Sequence, residues 1–305
     1  MSGLAHLDWI AADWGTTNLR VWAMDRAGRV LARAVSDRGM GQLAREDYEP
    51  TLLALAGGWL GVGPVPVLVC GMAGSRQGWA EAPYAAVPCA PLAAGRTARP
   101  PVRDGRLRVH LVAGLMQASP ADVMRGEETQ IAGYLAGRPQ FDGVLCLPGT
   151  HSKWVRISAG EVVSFQTFMT GEMFALLAGQ SVLRHSVAGD GWDEASFDEG
   201  VDQAISRPER IAARLFALRA EGLLHGLTSD KARARLSGLL IGAELAGARP
   251  YWLGQEVVLI GAETVGGAYR RGLAAQGVTA TLADGEATVL AGLTAARALV
   301  KETAT

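Results

Sequence analysis

Two short runs of the sequence carry the residue types that grip an anion. The first, Asp13-Trp14-Gly15-Thr16-Thr17-Asn18-Leu19-Arg20, follows the apolar run Trp9-Ile10-Ala11-Ala12; the second, Gly149-Thr150-His151-Ser152-Lys153, follows Val144-Leu145-Cys146-Leu147-Pro148. In each, an apolar strand ends in glycine and hydroxyl residues and another strand resumes at once. An ordinary hairpin needs only Asn-Gly or Asp-Gly at its tip, so a row of hydroxyls and backbone N–H groups at a strand end points to an anionic ligand. A polyphosphate suits them, because glycine lets N–H donors approach closely and hydroxyls rotate to meet the oxygens. Asp13 is placed to hold Mg²⁺ through water, since magnesium keeps most of its waters and accepts one or two carboxylates. Plainer readings stay open here: an aspartate capping a turn, and a tight turn with a solvated Lys153.

The elements that must position these runs follow from hydrophobic periodicity. Residues 8–13 and 19–25 read as strands, and Arg26-Ala27-Gly28 turns into a third over 29–36. A helix-period segment over 48–60, with Leu52, Leu53, Leu55, Ala56 and Leu60 apolar, precedes a buried strand at 65–70, so the order is β-β-β-α-β. The second run sits in the same frame: strand, Gly-Thr, strand, a turn at Ala159-Gly160, a further strand to Phe168, then helical segments. Laying Gly15-Thr16 on Gly149-Thr150 brings the turn glycines Gly28 and Gly160 within two residues of register. Duplicated half-domains facing each other across a cleft account for this, with both anion loops converging on one ligand; a chance match of two strand-turn-strand pieces is the alternative. Beyond, helical pattern fills 171–183, 196–220 and 229–248, strand 256–260 runs into Gly261 and a helix to Leu273, and strand 278–282 and helix 285–300 follow. The class is mixed α/β.

Composition narrows the function. With 305 residues, 49% of them hydrophobic, and a formal net charge of −1, the chain has material for two domains and no electrostatic footprint for nucleic acid or an acidic membrane surface. No basic leader segment precedes an apolar core and no apolar run reaches membrane-spanning length, which makes the cytoplasm the expected location. Cys70, Cys89 and Cys146 are odd in number and far apart, so they read as buried thiols rather than a disulfide or zinc framework. G-x-x-x-x-G-K-[ST] is absent, and the approximate dinucleotide pattern at Gly39-Met40-Gly41-Gln42-Leu43-Ala44 does not open from a convincing buried strand.

At this point the runs acquire a family likeness. Asp13-x-Gly15-Thr16-Thr17-x-x-Arg20 resembles the first phosphate loop of the actin-like ATPase and sugar kinase superfamily, and Gly149-Thr150-His151-Ser152-Lys153 resembles the second. Val257 to Gly267, with Gly261 and Ala262 at its centre, is similar to the adenosine motif. More narrowly, Gly71-Met72-Ala73-Gly74-Ser75-Arg76-Gln77-Gly78-Trp79, Met124-Arg125-Gly126-Glu127-Glu128-Thr129-Gln130, the LPGTHSKW run and the FMTGEMFALL run together resemble the 2-dehydro-3-deoxygalactonokinase family, from about Trp9 to Leu293. The resemblance implies two RNase H-like domains around a central ATP cleft, divided as residues 1–138 and 139–305, with helix 285–300 free to pack back on the first domain. It implies an ATP- and Mg²⁺-dependent kinase that phosphorylates the C6 hydroxyl of 2-dehydro-3-deoxy-D-galactonate in galactonate catabolism. Its partners are then a small sugar acid and ATP, with a homodimer left open. A sugar sensor or scaffold of the same fold, or a phosphohydrolase using the same loops, are the competing readings.

Roles follow from the same resemblance. Gly15, Thr16, Thr17, Arg20, Gly149, Thr150, His151, Ser152, Lys153, Gly261 and Ala262 are expected to bind ATP, and Asp13 the metal. Transfer to an alcohol needs a carboxylate that accepts the hydroxyl proton. Related sugar kinases place an aspartate at a Gly-Asp helix start; Glu127 stands there, with Glu128 as its rival. Both glutamates also suit a helix N-terminus on electrostatic grounds alone. The carboxylate of the acceptor calls for a bidentate arginine, Arg76 first and Arg125 second, while Trp79 and Tyr84 offer faces for the carbon chain; a surface arginine beside a loop tryptophan is the plain alternative.

Overall fold

A computed structural model describes residues 3–302. The chain divides into two compact units, residues 1–141, 158–164 and 285–305 in the first and residues 142–157 and 165–284 in the second.

The first unit is built on the strands Trp9–Trp14 (β1), Leu19–Met24 (β2) and Val30–Ser36 (β3), the helix Tyr48–Ala56 (α1), and the strands Val65–Gly71 (β4), Tyr84–Ala86 (β5), Thr97–Ala98 (β6), Leu107–Val112 (β7), Gly114–Gln117 (β8) and Asp122–Met124 (β9), followed by the helix Glu127–Gly137 (α2). The main sheet runs β3-β2-β1-β4-β7-β6, and β5-β8-β9 form a small second sheet. β1 is antiparallel to β2 and parallel to β4, which is parallel to β7. Because side chains alternate along a strand, β1 divides its residues between two cores. Ile10, Ala12 and Trp14 pack with Tyr48 and Leu52 of α1. Trp9 and Ala11 pack with Leu68 and Cys70 of β4 and with Val289, Leu293 and Ala296 of a late helix, Gly285–Glu302. Asp13 continues the Trp9–Ala11 row and so lies on the Cys70 side of the sheet.

The second unit repeats the plan with Gly143–Leu147 (β10), Ser152–Ser158 (β11), Glu161–Phe168 (β12), Thr170–Gly179 (α3), Glu194–Ser206 (α4), Ile211–His225 (α5), Ser229–Gly247 (α6), Arg249–Trp252 (α7), Val257–Gly261 (β13), Glu263–Ala274 (α8) and Ala280–Asp284 (β14); the late helix Gly285–Glu302 is α9. Its sheet runs β12-β11-β10-β13-β14, the order that β3, β2, β1, β4 and β7 take in the first unit. β10 is antiparallel to β11 and parallel to β13, again as in the first unit. Two RNase H-like sheets are thus present. The helical pattern expected over 196–220 is two helices, because Pro208 cannot continue α4 and the chain leaves helical geometry at Arg207.

α2 and α9 cross backbone to backbone. A Cβ on Gly133 would lie 1.9 Å from the Thr288 carbonyl oxygen, and one on Gly292 would lie 1.8 Å from that of Thr129. Only glycine permits that approach. Of the three thiols, Cys70 and Cys146 are buried as expected, whereas Cys89 is half-buried.

Candidate active site

The first anion loop leaves β1 at Trp14 and returns into β2 at Leu19. Three of its carbonyls are engaged from one side: Met40 N–H donates to Gly15 O at 3.0 Å, Gly41 N–H to Thr16 O at 2.9 Å and Gly39 N–H to Thr17 O at 3.1 Å. A trans peptide points its N–H opposite its carbonyl, so the amides of Thr16, Thr17 and Asn18 face away from the 39–41 segment. The Gly15 amide is held inside the loop by Asn18 O at 2.9 Å. The Gly39-Met40-Gly41 run is therefore a clamp. A Cβ on Gly39 would sit 2.3 Å from the Thr17 carbonyl carbon, so this contact requires glycine.

Asp13, Gly15, Thr17, Asn18, Arg20, Ser36 and Asp37 line an open hollow of about 460 Å³. Asp13 and Arg20 are cross-strand partners and form an ion pair. Burial works against the Arg20 charge, but Asp13, with smaller contributions from Glu286 and Cys70, holds the guanidinium above its ordinary value. Arg20 also lies 3.7 Å from Glu286 of α9. Across β1–β4, Asp13 pairs with Cys70, whose thiol donates to Asp13 Oδ1 at 3.7 Å. Burial, then the Asp13 and Glu128 charges, pushes that thiol well above the usual range.

α2 starts against the end of β4, where a Cβ on Gly126 would meet Gly71 Cα at 3.2 Å. Its two glutamates part company at once. Glu128 is fully buried, accepts the Gly126 amide at 2.6 Å and the Thr129 hydroxyl at 2.9 Å, and lies close enough to Cys70 to disfavour its thiolate. Burial, with the neighbouring Glu127 charge, raises its pKa to about 7. Glu127 is half-exposed and accepts the Arg125 amide at 3.1 Å.

The residues expected around the acceptor are not gathered in one place. Arg76 has a side chain 80% exposed, 3.5 Å from Glu81. Trp79 is 2% exposed, stacked on Tyr48 at 5.9 Å and edge-on to Trp14 at 6.2 Å, so most of its surface packs in the core. Tyr84 and Arg125 are together, with the guanidinium carbon 4.3 Å from the ring centroid. Arg125 is 8% exposed, donates to Ala82 O at 2.8 Å and Val112 O at 3.4 Å, and its buried Nε has no partner. No carboxylate pairs with it among the described residues.

In the second unit the Gly149–Lys153 run follows β10, and Gly261 ends β13, its parallel neighbour, with Ala262 directly after it. Carboxyl ends of adjacent parallel strands are where ligands of α/β sheets bind. Gly149 and Thr150 are exposed. The loop is clamped as the first one is, here by the start of α3: Glu172 N–H donates to Thr150 O at 2.9 Å, and a Cβ on Gly171 would lie 2.2 Å from Gly149 O. His151 pairs with the Glu172 carboxylate. Ser152 lies deeper than the rest of the run. Ser152 is fully buried with its hydroxyl 2.8 Å from the Tyr269 hydroxyl, which anchors the run from beneath. Lys153 is 4% exposed and donates to His151 O at 3.2 Å, which removes the reading as a solvated lysine.

Comparison with known proteins matches this geometry to a family. The 2-keto-3-deoxy-galactonokinase family profile matches residues 13–296. The Escherichia coli 2-dehydro-3-deoxygalactonokinase is 32% identical over 288 residues, covering 93% of this chain and 96% of that protein. A Rhizobium meliloti relative named DgoK1 is 40% identical over 294 residues, 94% of this chain and 95% of its own. A Sinorhizobium meliloti crystal structure of the same kind superposes with a TM-score of 0.87 at 40% identity, over 95% of this chain and 99% of that one. Component A of the Acidaminococcus fermentans (R)-2-hydroxyglutaryl-CoA dehydratase, at 13% identity and a TM-score of 0.54, shares the fold. With its repeated β-sheet order, its two glycine-threonine strand ends and a profile match over nearly its whole length, the chain belongs to the 2-keto-3-deoxy-galactonokinase family.

Proposed function

We propose that this protein transfers the γ-phosphoryl group of ATP to the C6 hydroxyl of 2-dehydro-3-deoxy-D-galactonate, giving 2-dehydro-3-deoxy-6-phosphogalactonate and ADP. As a member of a kinase family it is a phosphotransferase with an alcohol acceptor. The observation that carries the residue assignment is the difference in burial of the two glutamates at the start of α2: Glu128 is fully buried, whereas Glu127 is half-exposed. Glu127 takes the proton of the C6 hydroxyl, the oxygen attacks the γ-phosphorus in line, and the bond to the β-phosphate oxygen breaks with ADP leaving.

Amides of Thr16 and Thr17 and the hydroxyls of both threonines bind phosphate in the first unit; Gly149, Thr150 and Lys153 do so in the second, with Gly261 and Ala262 against the adenosine. Arg125, with Tyr84 stacked on it, receives the carboxylate of the sugar acid in preference to Arg76. A buried guanidinium without a carboxylate is short of an anion, whereas exposed Arg76 already has Glu81 nearby. Asp13, one carboxylate at the rim of a hydroxyl-lined hollow, suits Mg²⁺ held through water. The ion, when bound with ATP, neutralises charge on the phosphates. The reading places the enzyme in the cytoplasm, where its ATP is found.

The test is ADP release measured with purified protein, ATP, Mg²⁺ and a panel of 2-oxo-3-deoxy acids. The kinase reading expects ADP formation that depends on the galacto acid and stays near background without acceptor. Equal ADP formation with no acid would identify a phosphohydrolase; acid binding with no turnover would identify a sensor.

A further inference from the structure

Beneath the second phosphate loop lies a carboxylate that the reaction does not use. Glu244, on α6, is 2% exposed. Its Oε1 accepts Trp154 Nε1–H at 2.8 Å and its Oε2 accepts the Tyr269 hydroxyl at 2.7 Å. Ser152 Oγ is 2.8 Å from that same Tyr269 hydroxyl and, since the tyrosine proton goes to Glu244, donates to it; the Thr170 hydroxyl also hydrogen-bonds to the carboxylate. Burial raises the Glu244 pKa while the bonds from Thr170, Tyr269 and Trp154 hold it back. No lysine or arginine pairs with it among the described residues.

Each partner belongs to a segment with a task in nucleotide binding. Ser152 ends the loop that contains Gly149 and Thr150, and Trp154 continues it into β11. Thr170 is the first residue of α3, directly before Gly171 and Glu172, which clamp the loop. Tyr269 is on α8, the helix that starts immediately after Gly261 and Ala262. Packing alone gives no reason for a carboxylate here: burying one is costly, and an apolar side chain fills the same space as well or better. A fully satisfied polar network does give directional constraint that packing does not.

We propose that Glu244 is a positioning residue for ATP, joining the second phosphate loop, its α3 clamp and the helix after the adenosine segment into one rigid platform. The inference rests on the reading of Gly149–Lys153 as a phosphate loop. Losing a link should loosen donors that must hold phosphate at fixed distances, with its effect on ATP and not on the sugar acid.

Three variants test it: Glu244→Gln, Tyr269→Phe, which keeps the ring and removes the linking hydroxyl, and Thr150→Val in the loop itself. KM for ATP and for the sugar acid is measured for each, with thermal unfolding alongside. The expected result is a rise in KM for ATP of about tenfold for Glu244→Gln and Tyr269→Phe, the scale of one hydrogen bond to a charged group. KM for the sugar acid should stay within about twofold, and the double variant should be no worse than the more affected single, as groups acting as a unit behave. Should Glu244→Gln not fold, Tyr269→Phe decides. An unchanged KM for ATP in folded Tyr269→Phe while Thr150→Val raises it overturns the role of Glu244 and leaves the loop reading standing. No change in any variant overturns the loop reading and the platform with it. Parallel rises in both KM values also overturn the proposal, since they describe general loosening.

Discussion

Glu128 accepts the amide hydrogen of Gly126 at 2.6 Å with a side chain fully removed from solvent. That bond ties down the turn that opens α2 and leaves Glu127 as the accessible carboxylate. Loss of a general base costs about a hundred- to ten-thousandfold in rate. Glu127→Gln should therefore lower kcat by that order with ATP affinity nearly unchanged, and Glu128→Gln should lower it far less. Single-turnover rates at saturating ATP check this; an inactive Glu128→Gln beside an active Glu127→Gln would move the base by one residue.

The raised pKa of Glu128 has a consequence for stability. An acid that holds its proton more tightly folded than unfolded contributes stability fully below its unfolded pKa and loses it as pH rises through the folded one. For Glu128 the window runs from 4.5 to about 7. Across it the wild type should lose up to about 3 kcal/mol relative to Glu128→Gln, with the difference constant above. Urea unfolding of both proteins at intervals from pH 4.5 to 8 reads the slope; parallel profiles would mean the carboxyl titrates normally.

Arg125 and Arg76 make opposite predictions. Arg125→Lys keeps charge but loses the planar fork and the stacking on Tyr84. It should raise KM for the sugar acid by about tenfold or more with KM for ATP steady. Arg76→Ala, at a side chain 80% exposed, should change neither by more than about twofold. The reverse outcome would return the carboxylate to Arg76.

Gly171→Ala would put a methyl group 2.2 Å from Gly149 O, so the Gly149–Thr150 loop must move. The expected cost is about 1–3 kcal/mol of stability together with weaker ATP binding. Gly179→Ala, in the same helix with nothing within 4 Å of the added carbon, is the control and should be near neutral. Calorimetric titration with an ATP analogue distinguishes the two.

What the sequence discloses and what it hides divide along contact range. The glycine-threonine strand ends and the repeated β-β-β frame are local patterns, so both loops and the shared sheet order are legible from it. Pro208, which splits the segment read as one helix over 196–220, was a local signal too. The clamps at Gly39 and Gly171 are not legible, because each glycine answers to a backbone more than a dozen residues away. The Gly39-Met40-Gly41 run looked like a weak dinucleotide pattern for the same reason. Trp79 and Ser152 carry the residue types of a binding site, yet an aromatic trio and a buried carboxylate, neither near in sequence, turn them inward. Arg125 stood second to Arg76 since only the fold shows which guanidinium is buried.

The glycine crossing of α2 and α9 bears on how the protein is made. α2 carries both glutamates, and the helix that presses on it at Gly133 and Thr129 emerges from the ribosome only after the whole second unit has been translated. Until then the nascent chain holds α2 without the helix that packs against it. If Glu127 is the base, a chain ending before α9 should show no acceptor-dependent ADP formation, although it already contains both glycine-threonine loops.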